Sequence, residues 1–430
     1  MKNVDIKILA VILFFVTILY LGVEPFAHSQ MHKHIDDADF AYDAKGDNKV
    51  LLEQNHKQID DFEEIKEINA KEIMKSKKRL QELEEFDSEE FRDFWIQKLE
   101  NQKQDPKYKD QEKEIASIDK EIVKAKEMEV EELKNVKTFF MNNYKNMIDQ
   151  ENFLSKKIDQ KITDAENESQ QQMDDVEFFW NEAEYIASLE ANISNGKKLV
   201  QMSCTGCHGI STEGILAPMD DATAKMSFGV VPPDLSTSGK IYDKKFLAAL
   251  IKNPIIAMNL EHKFDNMNPH PMPPFFGAGG DISEEIADMV GYLKDISKDV
   301  TLSDKEVFIN ACARCHDVRY DGILGSKNDQ YLAKYMGSIP PDLSMIIRAK
   351  SKQYLRNFIY NPQMALEGTA MPRVGLDKNS TEQVINYLES IGDSKKEERE
   401  RVILKIVAFL VFIMILAYLW KKLLWRELKD

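Results

Sequence analysis

The sequence is poor in cysteine and has no excess of positive charge. Four cysteines in 430 residues are too few for a disulfide-rich scaffold. Lysine and arginine number 57 against 73 aspartates and glutamates, a net charge of −16, which excludes the basic surface that a nucleic-acid partner needs. A hydrophobic fraction of 43% excludes a fully disordered chain. The chain length predicts two or three folded domains.

The negative charge is concentrated in one part of the chain. Residues 31–195 hold 42 acidic and 25 basic side chains, a net charge of −17, whereas residues 196–400 have a net charge of only −3. Residues 1–30 are neutral overall, and residues 401–430 have a net charge of +4. The acidity therefore belongs to one segment and says little about the rest of the protein.

Each end of the chain carries a long apolar run, over residues 8–23 and 402–420. About 20 apolar residues cross a bilayer, so we predict a transmembrane anchor within residues 1–30 and a transmembrane helix with a tail over residues 395–430. The alternatives are a cleaved signal peptide for the first run and an interfacial helix for the second. Basic residues flank both runs on their outer sides, which predicts that both termini are cytoplasmic.

The acidic segment is almost free of proline, since Pro106 is the only one in residues 45–190. Apolar residues recur there at spacings of mostly three and four over residues 115–140 and again over residues 154–165. This period predicts a long amphipathic helix with a narrow apolar stripe. We therefore predict a helical hairpin or coiled-coil arm over residues 31–180.

Local signals subdivide this arm. Asp87 followed by Glu90 predicts a capping box that begins a new helix, and Pro106 fits a turn or the start of the next helix. The charges are either a solvated helix surface only or a docking site for a subunit or soluble partner. No residue of the arm is a candidate ligand or catalyst.

The pattern C-x-x-C-H occurs twice, as Cys204-Thr-Gly-Cys207-His208 and as Cys312-Ala-Arg-Cys315-His316. This spacing is typical of covalently attached haem c, whose vinyl groups bond to the two thiols while the histidine binds the iron. We therefore predict two haem c groups held by the four cysteines, with His208 and His316 as axial ligands. A zinc site would need further ligands nearby, and a thioredoxin-like redox pair would need a strand–helix pattern that is missing here.

An internal repeat supports the haem interpretation. A shift of 108 residues superposes the two C-x-x-C-H patterns, and it also brings Pro-Pro-Asp-Leu-Ser at 232–236 onto the same five residues at 340–344. We therefore predict two copies of one all-α domain, over residues 181–299 and 300–394, each with a short helix before the cysteines and a final helix containing Tyr-Leu-x-x-Ile. Strand signals are scarce.

The second axial ligand of each haem is expected late in each copy. Met272, within His-Pro-Met-Pro-Pro-Phe, and Met371, within Ala-Met-Pro-Arg, are the predicted ligands. A thioether from a proline-stiffened loop closes the sixth coordination position of the iron and raises its reduction potential. The alternatives are Met267, Met364, His262 and His270. We also expect a proline carbonyl of each Pro-Pro-Asp-Leu-Ser segment to orient the proximal histidine.

Residues 180–400 resemble tandem class I cytochrome c domains. The further motifs that narrow the resemblance are Gly-Val-Glu-Pro-Phe-Ala-His-Ser-Gln-Met-His at 22–32, Gly-Val-Val-Pro-Pro-Asp-Leu at 229–235, Met-Pro-Arg-Val-Gly-Leu at 371–376 and Gly-Asp-Ser-Lys-Lys-Glu-Glu-Arg at 392–399. Their combination resembles the membrane-bound dihaem cytochrome c subunit of some bacterial cytochrome bc1 complexes, which replaces monohaem cytochrome c1 in quinol:cytochrome c reductase. Most of residues 45–175 lies outside this resemblance.

The resemblance implies an electron-transfer role for the chain and a set of partners. These partners are cytochrome b, a Rieske iron–sulfur protein, and a soluble cytochrome c or terminal oxidase, within a dimeric complex. It also implies the bacterial inner membrane, with the haem domains on the periplasmic side. In this family the methionines that match Met272 and Met371 are the expected distal ligands.

Three other functions fit parts of the sequence. A dihaem subunit of a haem–copper (cbb-type) oxidase is usually anchored only near its N-terminus, so the C-terminal apolar run is the discriminating feature. A dihaem peroxidase needs one haem with a vacant distal side and an acid or base that cleaves peroxide, and no such group stands out. A mainly structural protein would use the acidic arm to organise a supercomplex.

Overall fold

The computed structural model describes residues 14–15, 37–108, 111–265, 267–325 and 330–427. Apart from residues 14–15, the predicted N-terminal span lies outside them. Within these ranges the chain forms helices, short 3-10 turns and three isolated β-bridges, but no strand. The all-α prediction is therefore confirmed. The chain divides into two compact units, one of residues 1–50 with 173–430 and one of residues 51–172.

Four helices form the described part of the acidic segment. They are α1 (Ala44–Glu85), α2 (Ser88–Gln104), α3 (Glu112–Glu127) and α4 (Val130–Ser188). The predicted capping box is present, since the Asp87 carboxylate accepts from the N–H of Glu90 at 2.9 Å and the Glu90 carboxylate accepts from the N–H of Asp87 at 2.9 Å. Pro106 begins a 3-10 turn, so both local predictions are confirmed.

The apolar stripe of residues 115–140 does not lie on one continuous helix. The chain leaves the helix at Met128, which has an extended backbone (φ −71°, ψ 138°), and α4 begins at Val130. Met128 is buried in a cluster with Phe91 and Leu133, and its carbonyl accepts from Arg92 Nη2 at 2.8 Å. The apolar residues keep the same spacing before and after Met128. The packing of α3 against α2, and not a change in this spacing, therefore ends the helix there.

Helices α1 and α4 run antiparallel within the unit of residues 51–172. Asn69 Nδ2 donates to the Glu151 carbonyl at 2.8 Å and to Ser155 Oγ at 2.8 Å. Further along, Asn55 Nδ2 donates to Ser169 Oγ at 2.6 Å. These contacts form a helical hairpin, while the coiled-coil character of the arm stays a prediction.

The repeated region is built from short helices of similar order in each copy. The first copy contains α5 (Ile193–Ser203), α6 (Asp221–Phe228), α7 (Ser238–Ile241), α8 (Lys244–Lys252), α9 (Pro254–Ala257) and α10 (Ile282–Ser297). The second contains α11 (Asp304–Ala311), α12 (Gln330–Met336), α13 (Ile346–Ala349), α14 (Lys352–Tyr360), α15 (Pro362–Ala365) and α16 (Lys378–Gly392). The helices predicted before each cysteine pair and at the end of each copy are confirmed.

The first and last helices of each copy pack against each other. In the first copy, α5 crosses α10 so closely that a Cβ on Gly196 would lie 1.9 Å from the Asp288 carbonyl oxygen. In the second copy, α11 meets α16 through the rings of Phe308 and Tyr387, whose centres are 4.9 Å apart. Buried apolar side chains of both copies form one continuous core, which fixes the positions of the two cysteine motifs.

The close helix crossing leads to a stability prediction. We expect Gly196→Ala to lower the free energy of unfolding by about 3 kcal/mol, because a methyl group at this position forces the two helices apart. Guanidinium unfolding of the purified protein measures the change. Ser194→Ala is the matched control, since Ser194 is an exposed position of the same helix. Equal effects of the two substitutions would contradict the close crossing.

The last helix, α17 (Lys396–Glu427), follows the second copy directly. Its segment Ala408–Trp425 has a mean hydropathy of 1.8, and none of it is buried against the rest of the protein. By length and composition this helix could cross a membrane. It coincides with the C-terminal span that the sequence predicts.

Candidate functional site

Each cysteine motif forms a tight turn at the end of a helix. In the first motif, the N–H groups of Cys207 and His208 donate to the Cys204 carbonyl at 3.1 and 3.0 Å. In the second, the N–H groups of Cys315 and His316 donate to the Cys312 carbonyl at the same two distances. No disulfide joins the four cysteines. The two motifs therefore present the same local geometry, with two thiols and an imidazole on one turn.

Proline carbonyls orient both histidines, as the sequence predicts. His208 Nδ1 lies 2.8 Å from the Pro233 carbonyl oxygen, and His316 Nδ1 lies 2.9 Å from the Pro341 carbonyl oxygen. A carbonyl oxygen can only accept a hydrogen bond, so Nδ1 carries the proton and Nε2 keeps a free lone pair. Burial lowers the pKa of both imidazoles. Each imidazole thus has a fixed ring orientation and a free Nε2 lone pair, as the predicted ligand role requires.

The proline segments are themselves held by an aspartate and a serine that recur at equivalent positions. Asp234 accepts from the N–H of Ser236 at 2.8 Å and from the N–H of Ser211 at 3.0 Å. In the second copy, Asp342 accepts from the N–H of Ser344 at 2.9 Å. The position of the proline carbonyl beside each histidine therefore depends on these side chains.

The Asp234 contacts lead to a prediction about pH. Burial alone would raise the pKa of Asp234, but hydrogen bonds from Ser211 and Ser236 outweigh it and hold the pKa below its ordinary value. Such a carboxylate stabilises the fold above its unfolded pKa of about 3.9, and this contribution is lost as pH falls through the folded pKa. We expect Asp234→Ala to lower the free energy of unfolding at neutral pH by about 2 kcal/mol.

Unfolding of Asp234→Ala and Asp234→Asn at neutral and acidic pH measures this contribution. The asparagine variant keeps an acceptor but cannot ionise, so we expect a smaller loss at neutral pH and a weaker dependence on pH than in the unchanged protein. Identical pH profiles for the unchanged protein and Asp234→Asn would show that this carboxylate has no such role.

The residues of the two motifs fit covalently bound haem. Burial raises the pKa of Cys204 to about 11 and that of Cys312 to about 12, so both unmodified thiols are protonated at neutral pH in this fold. Within the described part of the chain, no group of three or more histidine, cysteine or acidic side chains could hold a metal ion. Leu216 and Leu324, at equivalent positions beyond the motifs, are 82% and 50% exposed, which suits contact with an apolar macrocycle.

The predicted distal ligands Met272 and Met371 are both half-buried. The alternative methionines, Met267 and Met364, have different surroundings. Met267 is 93% exposed. The sulfur of Met364 lies 2.9 Å from the place that a Cβ on Gly46 would occupy, so Met364 packs against the first turn of α1. Met272 and Met371 therefore stay the predicted ligands.

The two alternative histidines make other contacts. His270 Nδ1 lies 3.0 Å from the Met272 carbonyl oxygen, and its Nε2 lies 3.0 Å from the hydroxyl of Tyr335 in the second copy. Burial lowers the pKa of His262, while a hydrogen bond with the Thr369 backbone raises it. Both side chains thus take part in the contacts around the predicted methionine loops.

The contact between the two copies involves residues that the sequence did not single out. Arg314, between the cysteines of the second motif, is a hydrogen-bond partner of Tyr242 in the first copy. Burial chiefly lowers the pKa of His208, and the positive charge of Arg314 lowers it further. The second motif is therefore close enough to the first to act on its histidine, a juxtaposition that no local pattern indicates.

Comparison with known proteins agrees with this geometry. The family model for cytochrome c matches the chain twice, over residues 193–297 and over residues 305–392. Searches of curated proteins and of solved structures found no match. The two matched segments contain the two cysteine motifs, one in each. Residues 193–297 and 305–392 are thus two cytochrome c domains, and the protein is a dihaem c-type cytochrome with two covalently bound haem c groups.

Proposed function

We propose that this dihaem cytochrome is the c-type subunit of a quinol:cytochrome c reductase, a cytochrome bc1 complex. The main support for the proposal is the order of the domains along the chain. Two cytochrome c domains are followed directly by α17, a helix that could cross a membrane. The alternative, a dihaem subunit of a haem–copper oxidase, is usually anchored only near its N-terminus. The further motifs at 22–32, 371–376 and 392–399 favour the reductase.

In the proposed pathway an electron arrives from a mobile Rieske iron–sulfur protein and passes between the two haems. It then leaves to a soluble cytochrome c or a terminal oxidase. Arg314 of the second motif is a hydrogen-bond partner of Tyr242 in the first domain, and this direct contact between the domains supports electron passage between their haems. Haem, when bound, supplies the one-electron carrier, while the chain supplies covalent attachment, axial ligands and a fixed position near the next carrier.

Histidine–methionine ligation of both irons is part of the proposal. His208 and Met272 would hold one haem, and His316 and Met371 the other. Met364 packs against Gly46, and Met267 is exposed. These surroundings favour Met272 and Met371 over the two alternative methionines as distal ligands. Two closed coordination spheres suit electron transfer and leave no position for a substrate such as peroxide.

We further propose that the protein resides in a bacterial inner membrane, with its haem domains in the periplasm and both termini in the cytoplasm. The basic residues outside each apolar run support this orientation. A phosphatase reporter fused to the C-terminus should be inactive, whereas a fluorescent reporter at the same position should fold and fluoresce. The reverse result would place the C-terminus outside and overturn the orientation.

Purification in a mild detergent, with identification of the co-purifying subunits, tests the assignment to a complex. We expect cytochrome b and a Rieske protein in stoichiometric amounts, in a complex with the mass of a dimer. An oxidase core containing haem and copper, without cytochrome b, would instead assign the chain to the alternative.

A further inference from the structure

Asp47, in the first turn of α1, is a buried carboxylate that accepts five hydrogen bonds. Its side chain is only 8% exposed. The donors are Trp180 Nε1 at 3.0 Å, Asn259 Nδ2 at 3.1 Å, Asn361 Nδ2 at 3.2 Å, Arg373 Nη1 at 3.1 Å and Arg373 Nη2. A carboxylate offers about four lone-pair sites, so every acceptor position of this group is used.

The donors come from separate parts of the chain. Trp180 lies near the end of α4, Asn259 belongs to the first cytochrome c domain, and Asn361 and Arg373 belong to the second. Asp47 itself lies outside both matched segments. One side chain from the N-terminal segment thus connects both haem domains with the end of α4.

The contact with Arg373 is a buried ion pair. Arg373 is 3% exposed, and its guanidinium carbon lies 5.4 Å from the centre of the Trp180 ring. Its backbone N–H donates to the Met258 carbonyl at 2.9 Å. Removing one partner of such a pair leaves an uncompensated buried charge, which is strongly unfavourable, so Asp47 fixes the place of Arg373.

Arg373 stands two residues after Met371, at the point where the loop becomes attached to the first domain. Beyond it, the Gly375 carbonyl accepts from the N–H of Asp243 at 3.0 Å, and the Leu376 carbonyl accepts from the Tyr42 hydroxyl.

The hydrogen bond of Met371 itself is weaker, since its backbone N–H donates to Thr369 Oγ1 at 3.4 Å. The two contacts of Arg373, its ion pair with Asp47 and its backbone bond to Met258, are therefore the anchors nearest to the methionine on its C-terminal side.

We propose that Asp47 is a positioning residue for the second haem: by holding Arg373, it fixes the segment that presents Met371 to the iron. The inference rests on the proposed role of Met371 as a ligand. The N-terminal segment thus helps to fix the geometry of the second haem site, although Asp47 precedes the first haem motif by more than 150 residues.

The test uses the full-length holoprotein with both haems. We expect Asp47→Asn to remove the near-infrared charge-transfer band of methionine-ligated ferric haem from the second haem only, so that its intensity falls to about half. The midpoint potential of the second haem should fall, and that of the first should stay unchanged. Glu182→Gln is the matched control, because it removes the carboxylate of another ion pair, Glu182–Lys252, that does not touch the Met371 loop.

A double variant, Asp47→Asn with Arg373→Gln, separates positioning from the cost of an unpaired charge. It buries no unpaired charge, so it should fold even if Asp47→Asn does not. We expect the band of the second haem to be lost in this variant too. Retention of the band and of the potential in the double variant, or in Asp47→Asn alone, would overturn the inference.

Met371→Ala, measured alongside, distinguishes this inference from the proposal on which it rests. If Met371→Ala removes the band of the second haem and the Asp47 variants do not, only the positioning role is wrong. If Met371→Ala leaves the spectrum unchanged, the ligand assignment is wrong, and the positioning role falls with it.

Discussion

A variant in which Cys312 and Cys315 are both replaced by alanine is expected to bind one haem c covalently instead of two. Each haem is attached through the thiols of its own motif, and all four cysteines of the chain are used in this way. Axial ligands alone form no covalent bond between the porphyrin and the protein. The ratio of acid-stable haem to protein, measured on the purified chain, should therefore fall by half.

The reciprocal variant, with Cys204 and Cys207 replaced, is the matched control. It should also retain one haem, but the remaining haem should have the other midpoint potential, so that the two variants together reproduce the redox titration of the unchanged protein. Two covalently bound haems in either variant would contradict the assignment of the motifs.

Replacing Met371 by alanine is expected to lower the midpoint potential of the second haem by on the order of 0.1 V or more. A thioether ligand stabilises ferrous iron, and axial ligation as a whole shifts haem potentials over about 0.8 V. The same variant should lose the charge-transfer band of one haem. Redox titration followed by absorption, together with near-infrared magnetic circular dichroism, measures both effects.

Met364→Ala is the control for this experiment, since the Met364 side chain packs against Gly46. We expect a loss of stability of about 1–2 kcal/mol from the removed contacts of this half-buried side chain, with the potential and the spectrum of the second haem unchanged. A spectral change in Met364→Ala, with none in Met371→Ala, would exchange the roles of the two methionines.

The repeat made the centre of each haem site predictable. A shift of 108 residues aligns the cysteine motifs and the Pro-Pro-Asp-Leu-Ser segments, and the two histidine–proline contacts of 2.8 and 2.9 Å occur at these aligned positions. Helix ends marked by local chemistry were predictable as well, as the Asp87–Glu90 capping box shows. Such features depend on residues that are close in sequence or repeated at a fixed distance.

Features that depend on distant contacts could not be predicted. Asp47 and Arg373 are 326 residues apart, and neither forms part of a pattern that indicates a buried pair. The end of α3 at Glu127 depends on the packing of Met128 against α2, because the apolar period of the segment continues past it. The place of Arg314 beside Tyr242 likewise follows from the docking of one domain against the other.

We propose that quinol delivers electrons to these two haems through a Rieske protein. Rapid mixing of quinol with detergent-solubilised membranes, followed at the haem c absorption band, tests it most directly. We predict that both haems are reduced, and that an inhibitor of the quinol-oxidation site, or removal of the Rieske protein, abolishes this reduction. Reduction of the haems only by a soluble cytochrome c, with re-oxidation by a copper-containing oxidase core and no response to the inhibitor, would contradict this proposal.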